Sequence, residues 1–375
     1  MNITNKDELQ VVHFITTIER GGAEKQLAYL VAEQRSQGNK VSVVYLKGKP
    51  ELESTFASFG VPVIAMNRLA KSKNFSQFIG LLLDRNRVVF HAHLPRAELF
   101  CLLVSIVFRK PFVISRHNAE NMIPKRFTML SKATSRIVTA FASSVIAISL
   151  AVRDHLERSG EIHDISKLKV VYYGFSEHSY VRIEKSQLLN AMSKIALPKK
   201  RIVVLSRLEP QKNLSRLIEA LAPVIKVGSC ELLIYGEGSQ QFLLGEKIES
   251  LGVADGIILM GKTSNIASVL GNSDVFVLPS LYEGFGMVLF EALANNCRIA
   301  ASAISAIPEV LGSDYPYLFN PEDTLDIRNT VKQCLHGEKE FFVEFNQKQL
   351  KRFPIRDSFL RIDKIYRDSL ESKLR

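Results

Sequence analysis

At 375 residues the chain is too long for one ordinary core and fits two domains. Its hydrophobic content of 46% and charged content of 23% are ordinary globular values, and its longest apolar run, Leu99 to Phe108, falls short of the roughly 18 residues that suggest a membrane span. The net charge of +11 is uneven: residues 1–180 hold 24 Lys and Arg against 15 Asp and Glu, and the remainder hold 25 against 23.

The first half is therefore the basic half. Such a surface suits an anionic membrane, a phosphorylated acceptor or nucleic acid, and equally simple solubility charge. The opening MNITNKDELQ is polar and does not read as a signal peptide. Cys101, Cys230, Cys297 and Cys334 are far apart without CxxC spacing, which predicts buried free thiols in a reducing compartment and no metal site. A soluble cytoplasmic protein is expected, with contact at the inner face of a membrane left open.

In chain order, strands are predicted at Val11–Thr17, Val41–Leu46, Val61–Met66, Arg87–His93, Pro111–His117, Ser143–Ser149 and Val171–Phe175. Helical patterns separate them, the first ending near Gly38. Strands alternating with helices mean βαβ units and a parallel, doubly wound sheet. Residues 176–200 are polar and charged and read as a linker. The pattern then restarts with strands at Arg201–Arg207, Cys230–Gly238, Gly256–Lys262, Asp274–Ser280 and Arg298–Ser302, and a short segment at Tyr317–Phe319. The predicted organisation is a domain over 1–180, a second over 181–355, and a tail over 356–375. That tail includes an amphipathic helix, Phe359–Leu370, which needs a surface and is placed back on the first domain. Two such domains imply a cleft, with ligands beyond the carboxyl ends of the strands.

The segment from Ser280 to Glu309 is the most informative. A buried strand ends in proline and serine, and Gly284-Phe285-Gly286 opens a helix. Strand, glycine turn and helix start leave backbone N–H groups facing outward, where a phosphate settles. Glu283 and Glu291 flank the turn. From Gly286 to Glu291 is roughly 7–8 Å at 1.5 Å per residue. Acids repel phosphates, so they make sense facing neutral hydroxyls, as on a sugar nucleotide. The alternative is a helix whose acids favour its positive end.

The Glu283 segment, SRLEPQKNLSRLIEAL and IYGEG together resemble the C-terminal domain of the retaining glycosyltransferases of family 4, which have the GT-B fold. RGGAEKQL resembles that family's N-terminal glycine loop, and SRHN its histidine-bearing strand end. The similarity covers nearly the whole chain. It is strong over 201–312 and weaker before 180.

The resemblance implies an α/β GT-B protein with two Rossmann-like domains. It implies a metal-independent hexosyltransferase with no cofactor, using a nucleotide sugar, a UDP-sugar, as co-substrate. Arg207 and Lys212 correspond to the cations that hold the donor diphosphate and stabilise charge on the leaving β-phosphate. Glu291 corresponds to the glutamate on the ribose hydroxyls, and Glu283 to the one facing the transferred sugar. For Glu283 two mechanisms stand, covalent nucleophile and front-face attack, and the family is usually argued to use the second. Backbone groups of Gly284, Phe285, Gly286, Met287 and Val288 are expected against the phosphates or sugar, where the glycines leave room. Gly236, with Glu237 and Gly238, forms a strand-end turn at the donor. Gly261, Lys262 and Thr263 are expected near the base. Gly21 and Gly22 correspond to the loop reaching the diphosphate, and Glu24 follows at the acceptor side or as a helix-terminus acid. His117 corresponds to the histidine that reaches the donor sugar.

His91 and His93 share one strand face. That spacing suits a metal, but no third ligand is visible nearby, and structural histidines are expected, with His93 lining the acceptor cleft. His13 reads as core. The region Lys125–Ser143 is a basic amphipathic helix, fit for an anionic bilayer or for a plain domain surface. The expected acceptor is a lipid-linked glycan in surface polysaccharide or lipopolysaccharide assembly. The rival readings are a sugar-nucleotide epimerase, a phosphorylase and a basic nucleic-acid-binding protein. No pyridoxal-phosphate lysine is visible for a phosphorylase. No aromatic-interleaved basic cluster is visible for nucleic acid.

Overall fold

The computed structural model describes residues 9–68, 72–84, 87–118, 128–184 and 199–372. The chain divides into two compact units, residues 1–179 with 353–375, and residues 180–352.

The first unit is built on β1 (Leu9–Ile15), β2 (Lys40–Tyr45), β3 (Val63–Ala65), β4 (Arg87–His93), β5 (Phe112–Arg116), β6 (Ser144–Ala147) and β7 (Leu168–Val170). The strands form one sheet in the order β3-β2-β1-β4-β5-β6-β7, with every pairing parallel. Parallel sheets are covered on both faces, so their strands read as continuous apolar runs. All seven residues of β1 are buried. The covering helices are α1 (Gly22–Ser36), α2 (Glu53–Ser58), α3 (Ser72–Leu83), α4 (Pro95–Phe108), α5 (Thr128–Phe141) and α6 (Leu150–Ser159), followed by α7 (Glu177–Glu184). Part of the predicted basic helix, 125–127, and most of the predicted linker, 185–198, lie outside the described residues.

The second unit repeats the scheme. It contains β8 (Lys200–Leu205), α8 (Leu214–Lys226), β9 (Cys230–Tyr235), α9 (Gln241–Ser250), β10 (Ile257–Gly261), α10 (Ile266–Gly271), β11 (Val275–Leu278), α11 (Met287–Ala294), β12 (Ile299–Ser302), α12 (Ile307–Leu311), β13 (Leu318–Phe319), α13 (Thr324–His336) and α14 (Lys339–Lys351). The sheet order is β10-β9-β8-β11-β12-β13. Helix α8 shows why the sequence folds this way: Leu214, Leu217, Ile218, Leu221 and Ile225 recur at helical spacing, and all are buried.

In both sheets the strand order reverses once, between β1 and β4 and between β8 and β11. Loops leaving those two strands part to opposite faces, which opens a crevice beyond their carboxyl ends. This reversal positions the site in each unit.

Helix α15 (Ile355–Glu371) belongs to the first unit. Its Phe359, Ile362, Ile365 and Tyr366 enter the same core as Leu9, Val11, Leu30, Val89 and Val113. One strand differs from expectation. The sheet ends at Val170 and not over Val171–Phe175. Beyond Val170 the chain leaves the ladder, and Phe175 bridges instead to Pro354, at the entry to α15.

Arg116 of β5 is buried and pairs with Glu98 of α4 at 2.9 Å and Glu161 at 3.2 Å. Burial, with Glu161 nearby, pushes the Glu98 carboxyl up to about 7 against the pull of Arg116. The four cysteines are free and buried.

Candidate functional site

At the reversal in the second sheet, β8 runs into Ser206-Arg207 and then a single 3-10 turn, Pro210–Lys212. Its neighbour β11 runs into Pro279-Ser280 and the Glu283 loop. Two hydrogen bonds tie the two loops: the Leu281 N–H donates to the Gln211 carbonyl at 2.8 Å, and the Gln211 side-chain Nε2 donates to the Tyr282 carbonyl at 2.8 Å. Lys212 and Glu283, 71 residues apart in sequence, meet on this frame, with Nζ donating to Oε1 at 2.6 Å. Ser280 Oγ donates to the same oxygen at 2.7 Å, and Ser305 Oγ holds the Glu283 carbonyl at 2.7 Å. Both side chains are about nine-tenths buried, with 12% and 10% exposure. The pair is thus a fixed, charge-assisted contact. Arg207 stands exposed on the adjoining loop.

Helix α11 starts directly after Gly286, whose φ of 85° is a left-handed value that favours glycine. Met287 and Val288 open the helix, where N–H groups have no acceptor within it. Phe285 is buried, and its ring packs on Phe290 at 5.5 Å, so its side chain belongs to the core. Glu291 lies buried in the same helix, over one turn further in.

Gly236 and Gly238 have a role that sequence reading left unspecified. A Cβ on Gly236 would sit 1.8 Å from the Ser206 carbonyl oxygen, and one on Gly238 would sit 2.4 Å from that of Leu208. The turn after β9 passes directly against the loop that carries Arg207. The Leu208 N–H donates to the Glu237 carbonyl at 2.9 Å. Ser239 donates to Glu209 from both its N–H and its hydroxyl, which holds that carboxyl below its usual range. Gly261 ends β10 with φ 70°, Lys262 is exposed, and Thr263 Oγ1 accepts from the Asn265 N–H. These residues gather at the carboxyl end of the second sheet.

The other predicted residues gather at the carboxyl end of the first sheet. Gly21 and Gly22 lie between β1 and the first turn of α1. Glu24 is buried against Gly21 and accepts from Thr17 Oγ1 at 2.7 Å. His93 ends β4, and His117 follows β5. His93 Nδ1 and His117 Nε2 are 3.0 Å apart, and His117 Nδ1 meets the Tyr173 hydroxyl. Both ring nitrogens of His117 are therefore engaged. Burial pulls its conjugate acid down to about 3.

A third histidine does stand beside His91 and His93. Parallel pairing sets His13 of β1 opposite His91 of β4, and one nitrogen from each of the three lies within 4.8 Å of the others. Sequence separation of 78 residues hid it. His13 bonds Gln34 and His93, and His91 bonds Tyr366 and Ser115. These rings form a hydrogen-bonded set, as expected of structural histidines. The reading also missed Ser280, Gln211, Ser305, Gln34, Tyr173 and Tyr366, which are common residue types with no local signature.

Two doubly wound parallel sheets with loop clusters of this kind define an α/β protein of the GT-B class. The description "Glycosyltransferase Family 4" matches residues 20–177 and "Glycosyl transferases group 1" matches residues 188–351, and the chain belongs to this glycosyltransferase family. It is 24% identical over 253 residues to N-acetyl-alpha-D-glucosaminyl L-malate synthase of Bacillus anthracis, covering 63% of this chain and 66% of that protein. It is 27% identical over 207 residues to the serotype-specific mannosyltransferase WbdA of Escherichia coli, covering 52% of this chain and 25% of WbdA. The chain thus spans just under two thirds of the first relative's length and a quarter of the second's. Anabaena HepE, solved in complex with UDP and glucose, shares the fold with a TM-score of 0.76 at 19% identity, over 95% of this chain and 98% of HepE.

Proposed function

We propose that the protein is a retaining, metal-independent hexosyltransferase. It moves a sugar from a UDP-sugar to a hydroxyl of a lipid-linked glycan in surface polysaccharide or lipopolysaccharide assembly. The observation that carries the reading is the Lys212–Glu283 pair, held by Ser280 at the reversal of the second sheet. In the reaction the bond between the anomeric carbon and the β-phosphate oxygen breaks, and the acceptor oxygen bonds that carbon from the same face. The acceptor's proton passes to the departing phosphate. Arg207 and Lys212 stabilise the charge that develops there, and the opening N–H groups of α11 add to this. Glu283 faces the sugar hydroxyls and Glu291 the ribose. The relatives support a sugar transfer, and HepE binds UDP and glucose.

A panel of nucleotide sugars tested by thermal unfolding checks the donor. The UDP-sugar is expected to add about 2.7 kcal/mol at 100 times its Kd, and the other bases less. No shift with any nucleotide sugar, and no transfer to a hydroxyl, would remove the reading.

The membrane part rests on a surface of the first unit. No helix among the described residues is long and apolar enough to cross a membrane. Helices α4 and α5 pack side by side. The first exposes Leu103, Ile106 and Val107, and the second exposes Met129, Leu130, Ile137 and Phe141. Arg109, just past the end of α4, and Arg136 of α5 are exposed beside them. Apolar patches rimmed by cations suit an anionic bilayer surface. Sedimentation with vesicles containing anionic lipid is expected for the wild type and not for Leu103→Ser combined with Phe141→Ser. Equal binding by both proteins would contradict this surface.

A further inference from the structure

The histidines of the first unit do more than fill space, because their hydrogen bonds run in one direction. His13 Nε2 lies 2.8 Å from Gln34 Oε1, and His13 Nδ1 lies 3.0 Å from His93 Nε2. His93 Nδ1 lies 3.0 Å from His117 Nε2, and His117 Nδ1 meets the Tyr173 hydroxyl. Gln34 and His13 are fully buried, and His93, Tyr173 and His117 nearly so. Burial keeps all three imidazoles neutral, since it pulls each ring's pKa well below its usual range.

A neutral imidazole has one donor and one acceptor. A carboxamide oxygen only accepts, so His13 must carry its proton on Nε2. Its Nδ1 then accepts, which requires His93 to donate from Nε2. By the same step His117 donates from Nε2 to His93, and its Nδ1 accepts from Tyr173. The branch through the other side of Gln34 agrees. Gln34 Nε2 donates to the Tyr366 hydroxyl at 3.4 Å, Tyr366 donates to His91 Nδ1 at 2.6 Å, and His91 Nε2 donates to Ser115 at 2.8 Å. Along both branches each ring nitrogen meets a partner of the opposite kind. A single ring in the other tautomer would set N–H against N–H, or for His117 lone pair against lone pair, in a buried place, so a change in one ring favours a change along the whole chain.

We infer that Gln34, three hydrogen bonds away, sets which nitrogen of His117 carries the proton, and is thereby a positioning residue for it. Tyr366 of helix α15 takes the other side of the Gln34 carboxamide and links it to His91. The activity part of this inference rests on the sugar-transfer reading and on the family resemblance that assigns His117 to the donor, a role that needs one of its two engaged nitrogens to give up its partner. The tautomer part does not.

The test is long-range 1H–15N correlation on the full chain with 15N-labelled histidine, without substrate. Wild-type His13, His91, His93 and His117 are expected in the Nε2–H form. In Gln34→Met, similar in size but without the acceptor, His117 is expected to become a mixture or to move to Nδ1–H. Gln34→Glu keeps an acceptor opposite His13 and is expected to keep His13, His93 and His117 in the Nε2–H form, while it removes the donor to Tyr366 and frees His91 to change. A Tyr366→Phe variant guards against misfolding of Gln34→Met and is expected to mix the forms of His91 and His117. In sugar transfer, Gln34→Met should lower kcat about 10- to 100-fold, the range carried by orienting partners, with KM for the nucleotide sugar retained and Gln34→Glu restoring kcat. A wild-type His117 in the Nδ1–H form, or a pattern unchanged by both Gln34→Met and Tyr366→Phe, would overturn the inference. If the tautomers respond but the wild type transfers no sugar, the functional reading fails while the control of His117 stands.

Discussion

Replacing Lys212 by alanine is expected to lower kcat for sugar transfer by about 100- to 1000-fold, the usual cost of removing a fixed donor from a developing oxyanion. The same change should reduce stability by about 2–3 kcal/mol, because it leaves the Glu283 carboxylate with Ser280 as its neighbour in a nearly closed site. The two effects separate. Lys212→Met combined with Glu283→Gln removes both charges, keeps the volumes and retains a hydrogen bond to Ser280. Its unfolding midpoint in urea should return close to the wild type, while sugar transfer stays lost. Recovery of activity along with stability would mean that the pair is an architectural ion pair with no part in chemistry.

The second large effect is on stability against pH. Burial lowers the pKa of His13 from 6.5 to about 4, and that of His117 to about 3. The unfolded chain binds protons below pH 6.5 that the folded chain refuses, so stability is complete above that pH and is lost as pH falls towards the folded values. Between pH 7 and 5 these two rings together lose about 4 kcal/mol at 1.36 kcal/mol per unit. His91 and His93 are shifted the same way and add to the loss. Glu98 works in the opposite sense. Its folded value near 7 against 4.5 means that the folded chain holds a proton there, so acidification restores about 2–3 kcal/mol over the same range. The urea midpoint of the wild type should fall from pH 7 to 5, and that of Glu98→Gln should fall more steeply. A midpoint that stays level or rises on acidification in both proteins would refute the buried neutral imidazoles.

Much of this was legible in the sequence. The strand-helix alternation of both units could be read because parallel strands are buried on both faces, and a run such as LQVVHFI has no polar face to present. Glu283, Lys212 and the Gly286 turn could be read because their chemistry is local: charge beside a helix start, and a glycine where φ is positive. What escaped was whatever depends on register. Nothing near His13 announces His91, since only strand pairing brings them together. Nothing near Gln34 announces Tyr366, 332 residues away. The packing of the turn after β9 could not be read, because its glycines answer to two carbonyls on the loop that follows β8.

The place of α15 bears on how the chain matures. The strands of the first sheet all precede residue 171, yet its interior lacks Phe359, Ile362, Ile365 and Tyr366 until the chain has run through the whole second unit. The second unit, begun later, has all its parts earlier. Until α15 docks, the first unit has an open apolar groove over β1, β4 and β5, and vulnerability to proteases and to chaperone binding falls there.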